Sequence, residues 1–199
     1  LLPRIWSRLA GRLHAGLGVE NRWQLGSYAS QLLRCALASG ADYFIVHLEE
    51  AAWVGSVLLR EGHRVGVDLE DWYSEDLPPE VRRYRPIRLL RELERRLLTE
   101  GSHSTCPSQA MSEALAEEYL CKPPQVVYNA FPWSDRDLLD GVAKDREGRE
   151  RTPSIYWFSQ TLGAGRGLEE LLAALSFVGA SAEVHLRGAP AHGFAAWLL

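Results

Sequence analysis

The sequence predicts an α/β protein built on a doubly wound parallel sheet. Short apolar runs rich in β-forming residues alternate with longer segments of helical periodicity, and this alternation continues on both sides of a charge-dense segment. A polar residue or a glycine follows each apolar run. The 199 residues, of which 46% are hydrophobic, suit one large domain or two small ones.

Changes in the spacing of apolar residues along the chain predict the helices and strands of the first 130 residues. Residues 1–40 are predicted to be helical, because Ile5, Leu9 and Leu13 recur four apart. The predicted strands are residues 42–47, 64–68, 103–107 and 125–129, and the predicted helices are residues 49–61, 87–100 and 109–120. Ser108 is the expected N-cap of the last helix. In helix 87–100 an i,i+4 pair of Glu92 and Arg96 predicts that the charge run forms a solvated face.

Residues 134–153 are dense in charge and poor in apolar side chains, which predicts a linker between residues 1–133 and 154–199. Beyond it we expect strand 154–159, helix 166–177, strand 182–188 and a final helix from Phe194. Two parallel strands cannot bury both of their faces. Either these strands join the first sheet, or the second domain is cut short in this chain.

Composition excludes some classes of function. The formal net charge is -4 and no basic run stands out, which argues against nucleic acid as a partner. The three cysteines are odd in number and match the spacing of neither a zinc site nor a redox pair, which predicts reduced thiols in a cytoplasmic protein. No apolar run approaches the length that spans a membrane.

The first helical segment has two interpretations. Three arginines stand beside large apolar residues in it, namely Arg4, Arg8 and Arg12 beside Trp6 and Leu9. Such a helix either lies on the inner face of the membrane or packs on its own domain. Packing on the domain is the favoured interpretation.

Polar residues concentrate where the first two strands end. The first strand ends at His47, and the second ends at Asp68 and leads into Glu70 and Asp71. The other strands run into Thr105 and Ser108, into Asn129, into Ser159 and Gln160, and into Arg187 and Gly188. Ligands of open parallel sheets bind beyond this edge.

Each of these groups has a functional and a structural interpretation. His47 is either a base or hydroxyl ligand, or a histidine satisfied by a neighbouring carboxylate. The acidic loop that follows the second strand, LEDWYSEDLPP (69–79), either binds hydroxyl groups or is an exposed loop. A metal site is the weakest option there, because no known ligand spacing is present.

The turn 163–167 joins a strand to a helix and contains three glycines and Arg166. Glu169 and Glu170 suit the first turn of a helix, whereas a cation at that end opposes the helix dipole. Arg166 there makes sense if an anion binds the turn, so phosphate binding is favoured over a plain turn. The pattern is neither a Walker loop nor G-x-G-x-x-G.

In this order and spacing, several segments resemble family-four glycosyltransferases of GT-B fold. The matching segments are FIVHLEEA (44–51), CPSQAMSEAL (106–115), VVYNAF (126–131) and IYWFSQTLGAGRGLEELLAAL (155–175), and the resemblance covers the chain from about Ala41 onward. It implies two Rossmann-like domains: an acceptor-side domain at 1–133 and the start of a donor-binding domain at 154–199.

The resemblance also implies roles for particular residues. His47 matches the histidine that faces the acceptor and the transferred sugar, and Asp71 falls near the family's acidic residue after the second strand. Arg166 and Gly167 match the "KG" pair whose cation holds the donor diphosphate. The family's second diphosphate cation falls on Gln160, so that charge is missing. The implied sets are Asp68, Glu70 and Asp71 on the acceptor side, and Ser159, Gln160, Gly165, Arg166 and Gly167 on the donor side.

The implied reaction moves a sugar from a nucleotide-diphosphate donor to a hydroxyl of a glycan, lipid-linked or small-molecule acceptor, with retention and without metal or cofactor. The family's glutamate pair that grips the donor lies beyond Leu199, so we expect the second domain to be incomplete and this chain alone to be inactive. Two alternatives stay open. One is a non-catalytic nucleotide-sugar-binding module, and the other is a metal-dependent hydrolase that uses the acidic loop.

Overall fold

The computed structural model describes residues 2–77, 82, 84–135, 152–179 and 181–197. The chain divides into two compact units, Leu1–Ala130 and Phe131–Leu199, and each is described by itself. Most of the predicted linker, residues 136–151, lies outside the described residues. No helix within the described ranges is long and apolar enough to cross a membrane.

The first unit alternates strands and helices from residue 43 onward. Its helices are α1 (Leu2–Leu17), α2 (Ala29–Ala38), α3 (Glu49–Arg60), α4 (Ile87–Glu100) and α5 (Gln109–Tyr119). Its strands are β1 (Tyr43–His47), β2 (Arg64–Asp68), β3 (His103–Cys106) and β4 (Gln125–Val126). The predicted fourth strand is therefore shorter than expected. The hydroxyl of Ser108 accepts the N–H of Met111, which confirms the predicted N-cap of α5.

The four strands form one parallel sheet in the order β1-β2-β3-β4, which confirms the α/β class with a parallel sheet. The order of these described strands never reverses, and a doubly wound sheet contains such a reversal. In this part of the chain the sheet is therefore wound in one direction only. Each of the helices α2 to α5 contacts the next one along the chain, so the four helices form a layer. The contact between α4 and α5 is the smallest of the three.

The core of this unit lies between the helices and one face of the sheet. Val46, Val65 and Val67 alternate with residues of the opposite face and are at most 5% exposed. Helix α3 approaches β1 closely at Gly55, where an added Cβ would lie 2.9 Å from the Val46 methyl groups. On the other face Ile45 is 65% exposed, so among the described residues that face is open.

The second unit consists of β5 (Ser154–Leu162), α6 (Leu168–Val178), β6 (Glu183–Pro190) and α7 (Phe194–Trp197). Its two strands pair in parallel as a sheet of their own, so they do not join the first sheet among the described residues. Leu162, Leu168 and Phe194 form its buried cluster. One face of β5 carries Tyr156 and Phe158, which are 57% and 72% exposed.

Candidate functional site

The imidazole of His47 lies between two carboxylates at the end of β1. Its Nδ1 is 3.2 Å from Oδ2 of Asp68, and its Nε2 is 3.1 Å from Oε2 of Glu70. A neutral imidazole carries a single N–H, so it can donate to both carboxylates only when the ring carries two protons. Side-chain exposures of 40%, 43% and 52% leave all three groups open to a ligand.

Strand register explains why these groups meet. His47 pairs with Asp68, Asp68 pairs with Thr105, and Thr105 pairs with Gln125. Residues paired across strands point to the same face of a sheet, so the four positions form one polar row. The Thr105 hydroxyl donates to Oδ1 of Asp68 at 2.5 Å and fixes this carboxylate. We use the name His47 row for three of these positions, His47, Asp68 and Thr105, together with Glu70, which follows β2 and contacts His47.

Leu48, which follows the His47 row in the chain, has a backbone conformation that is rare outside glycine. Its φ of 69° and ψ of 162° lie in a backbone region that residues other than glycine rarely adopt. Its N–H donates to the hydroxyl of Tyr73 at 3.2 Å. Burial raises the pKa of Tyr73 to about 12, so this hydroxyl stays protonated at neutral pH. The sequence carries no signal for the strain at Leu48, because glycine is the residue that such a conformation predicts.

Asp71 lines a cleft at the start of α3 together with Glu49, Glu50 and Asp76. Leu48, which follows His47, and Tyr73, whose hydroxyl accepts the Leu48 N–H, line the same cleft. Burial, followed by the charge of Asp71, raises the pKa of Asp76. Of the predicted acceptor-side set, Asp68 and Glu70 contact His47, and Asp71 lines this adjoining cleft.

A buried carboxylate fastens the acidic loop to the helices behind it. Glu94 of α4 is 2% exposed and accepts hydrogen bonds from the Ser74 N–H at 3.0 Å, the Ser74 hydroxyl at 2.7 Å and the Tyr119 hydroxyl at 2.5 Å. Burial raises the pKa of Glu94, while these hydrogen bonds oppose the shift. The charge run of α4 is thus not solvated throughout. Glu94 stands four residues after Leu90 and four before Leu98, which is the signal that places it on the apolar side.

The glycine-rich turn adopts a conformation that requires its glycines. Gly165 and Gly167 have φ of 73° and 81°, in the left-handed region. Helix α6 begins at Leu168, so Arg166 lies in the turn and not, as predicted, at the first helical position. The guanidinium is exposed and pairs with no carboxylate among the described residues. The Gly165 N–H donates to Oε1 of Glu169 at 3.1 Å. One of the backbone N–H groups that were expected to donate to a phosphate therefore already has an acceptor within the chain.

Ser159 and Gln160 do not end their strand, which corrects the prediction. Strand β5 continues to Leu162, and the register shifts between Phe158 and Thr161. An added Cβ on Gly188 of the paired strand would lie 2.3 Å from the Ser159 carbonyl oxygen, which shows how closely the strands approach there. Both residues therefore lie in a bulge before the turn.

Within the described ranges, no group of three His, Cys, Asp or Glu side chains is arranged to hold a metal ion. Comparison of the chain with models of known protein families gives no match. A search of curated proteins gives no match either.

Proposed function

We propose that this chain is part of a glycosyltransferase of GT-B fold, which moves a sugar from a nucleotide diphosphate to a hydroxyl group with retention and without metal. The observation that carries the proposal is the imidazole of His47, held between Asp68 and Glu70 at the carboxyl ends of parallel strands. Ligands of such sheets bind at this edge. The proposal also includes a complete Rossmann-like first domain, in which the order of the strands reverses once; the four described strands contain no such reversal.

In the proposed reaction the first unit handles hydroxyl groups. An imidazole that is 40% exposed can donate to or accept from a sugar hydroxyl, and neighbouring carboxylates set which nitrogen carries the proton. Thr105 keeps Asp68 oriented toward His47, so the ring needs little reorganisation when a hydroxyl arrives. His47 is the catalytic residue of this proposal, and Asp68, Glu70 and Thr105 are positioning residues.

The second unit supplies charge for the diphosphate. Arg166 has an exposed guanidinium next to the amino end of α6, where backbone N–H groups and the helix dipole favour an anion. The carboxylate of Glu169 competes for the Gly165 N–H. A diphosphate therefore gains that donor only when the Glu169 side chain moves away.

Calorimetric titration of the 199-residue chain with UDP- and GDP-sugars tests the donor half. We expect Arg166→Ala to weaken binding about tenfold or more, because a hydrogen bond to a charged group is lost. Arg34→Ala removes an exposed arginine of α2 in the first unit and should leave binding unchanged. Glu169→Gln should tighten binding, because the competing charge is gone. Absence of nucleotide-sugar binding, or equal effects of the two arginine variants, contradicts the proposal.

Release of UDP or GDP from the bound donor, with water as acceptor, tests the role of His47 in a protein that joins this chain to a complete donor-binding domain, since the chain alone is expected to be inactive. His47→Ala should abolish release while donor binding persists. His103→Ala changes an exposed histidine of the same sheet, two residues before Thr105 in β3, and should have no effect. Normal release from His47→Ala removes this residue from the site.

The two alternatives predict other outcomes. A non-catalytic module binds nucleotide sugars but releases no nucleoside diphosphate even when the donor-binding domain is complete. A metal-dependent hydrolase loses activity when a chelator is added.

A further inference from the structure

Helix α1 exposes a continuous apolar stripe. Positions four apart lie on one face of a helix, and in α1 these are Ile5, Leu9, Leu13 and Leu17, which are 56%, 43%, 38% and 73% exposed. Ala10, which neighbours Leu13 at the edge of the stripe, is 3% exposed and marks the side that packs on the unit. The stripe is thus uncovered among the described residues, contrary to the favoured expectation that it packs on the domain.

Positive charge runs beside this stripe. Arg8 and Arg12 follow Ile5 and Leu9 by three residues, so each arginine neighbours the apolar side chain one turn before it. Both are exposed, and neither pairs with a carboxylate among the described residues. Residues 2–17 contain no Asp or Glu, although the whole chain carries a formal charge of -4. The charge of α1 is therefore opposite to that of the chain.

Contacts at two points fasten α1 to the first unit while the stripe stays outward. The indole of Trp6 stacks on that of Trp23 with ring centroids 6.3 Å apart. Just after the helix, the Glu20 carboxylate accepts the Leu89 N–H at 2.7 Å, and Arg88 donates to the Gly18 carbonyl oxygen at 2.7 Å. The helix thus presents a fixed surface.

We propose that α1 is a docking surface for an anionic lipid bilayer and lies in the plane of the interface. Its leucines and Ile5 would enter the boundary between headgroups and acyl chains, and Arg8 and Arg12 would contact lipid phosphates. Charge complementarity selects this occupant over a second α1, because facing copies would bring arginines together with no acid on either helix.

Vesicle co-sedimentation tests the charge. We expect the chain to bind vesicles of phosphatidylcholine and phosphatidylglycerol in equal parts, and to bind phosphatidylcholine vesicles far more weakly. The double variant Arg8→Gln/Arg12→Gln should bind the mixed vesicles about thirtyfold more weakly. Arg34→Gln/Arg60→Gln removes two exposed arginines from other helices and should bind like the parent chain. Because no donor is added, this result is independent of the proposed glycosyl transfer.

A second pair of variants tests the stripe. Leu9→Ser/Leu13→Ser should abolish sedimentation with the mixed vesicles. Leu32→Ser/Leu37→Ser, at leucines of α2 that are 43% and 44% exposed, should leave it unchanged. Circular dichroism checks that each variant is folded. No binding to the mixed vesicles, or equal binding by both leucine pairs, overturns the proposal. So does a dimer in gel filtration that Leu9→Ser/Leu13→Ser dissociates, since the stripe then belongs to a second copy.

Discussion

The His47 row and the glycine-rich turn are both candidate ligand sites, but different interactions hold them. In the His47 row, side chains from neighbouring strands contact one another in register. In the turn, glycine conformation and one contact from Glu169 set the backbone, and Arg166 pairs with no described carboxylate. A site held by a sheet is ordered before its ligand arrives, whereas a turn of this kind leaves its cation free to move toward one.

The two units that carry these sites also differ in the size of their buried cores. Among the described residues, the buried core of the unit that carries the His47 row contains sixteen residues, whereas the buried cluster of the unit that carries the turn contains three. Apolar burial is the main source of folding free energy. We therefore expect the second unit to unfold more readily than the first.

The largest effect is expected for Leu168→Ala in the second unit. Leu168 is fully buried, and its truncation should lower the free energy of unfolding by about 3 kcal/mol. Urea titration followed by amide hydrogen exchange should show that β5 and α6 lose protection while β1 and β2 keep it. Leu115→Ala is the matched variant in the first unit, since Leu115 is also fully buried. If both variants shift one common transition, the two units unfold together and the comparison fails.

The next effect concerns Glu94. Glu94→Ala leaves the hydroxyls of Ser74 and Tyr119 without their acceptor and should lower the free energy of unfolding of the first unit by about 2 kcal/mol. Glu113→Ala, at an exposed carboxylate of α5, should change it by less than about 0.5 kcal/mol.

The raised pKa of Glu94 also predicts a pH dependence. The folded state binds the Glu94 proton more tightly than the unfolded state, so this contribution is complete below the ordinary glutamate pKa and is lost as pH rises through the raised value. Urea titrations at a series of pH values from the ordinary glutamate pKa upward should show this component in the parent chain and not in Glu94→Gln. An identical pH profile for both proteins contradicts the assignment.

A smaller effect with an unusual sign is expected at Leu48. In most positions alanine gives a more stable protein than glycine, by about 0.5–1 kcal/mol. At Leu48 the positive φ should reverse this order, so that Leu48→Gly is more stable than Leu48→Ala by about 1 kcal/mol. Leu37→Gly and Leu37→Ala, in α2, provide the ordinary order for comparison. The same order at both positions means that the backbone at Leu48 stores no strain.

The smallest effect is expected for Asp68→Asn. The contact of Asp68 with His47 is about two-fifths exposed, and exposed ion pairs contribute little, so the free energy of unfolding should fall by less than about 0.5 kcal/mol. The orientation of the imidazole should change more, which nuclear Overhauser effects from the His47 ring protons in NMR spectra can measure. An unchanged ring orientation shows that Asp68 does not position the ring.

Much of the fold of the first unit follows from local patterns. Strand β2 and helix α4 have the bounds that their apolar periodicity predicts. The meeting of His47 with Asp68 and Glu70 follows from a general property of parallel sheets, which brings the carboxyl ends of adjacent strands to one edge.

Features that depend on three-dimensional packing could not be predicted in this way. The bulge at Ser159 and Gln160 arises from pairing with β6, whereas this polar pair after Phe158 predicts the end of a strand. The cleft that Asp71 lines could not be predicted from its place beside Glu70, because residues at the start of α3 form part of it. The partners of Glu94 lie 20 and 25 residues away, beyond the reach of helical periodicity.

The register of the His47 row has a consequence for the time at which the site forms. The contact between Thr105 and Asp68 joins residues 37 positions apart, and it requires β2 and β3 to be already paired. Contacts this distant in sequence form late, because long loops must close first. The row should therefore be completed only as the sheet is completed. A ligand that binds it then stabilises the whole sheet, and slows hydrogen exchange at amides far from the ligand as strongly as at those in contact with it.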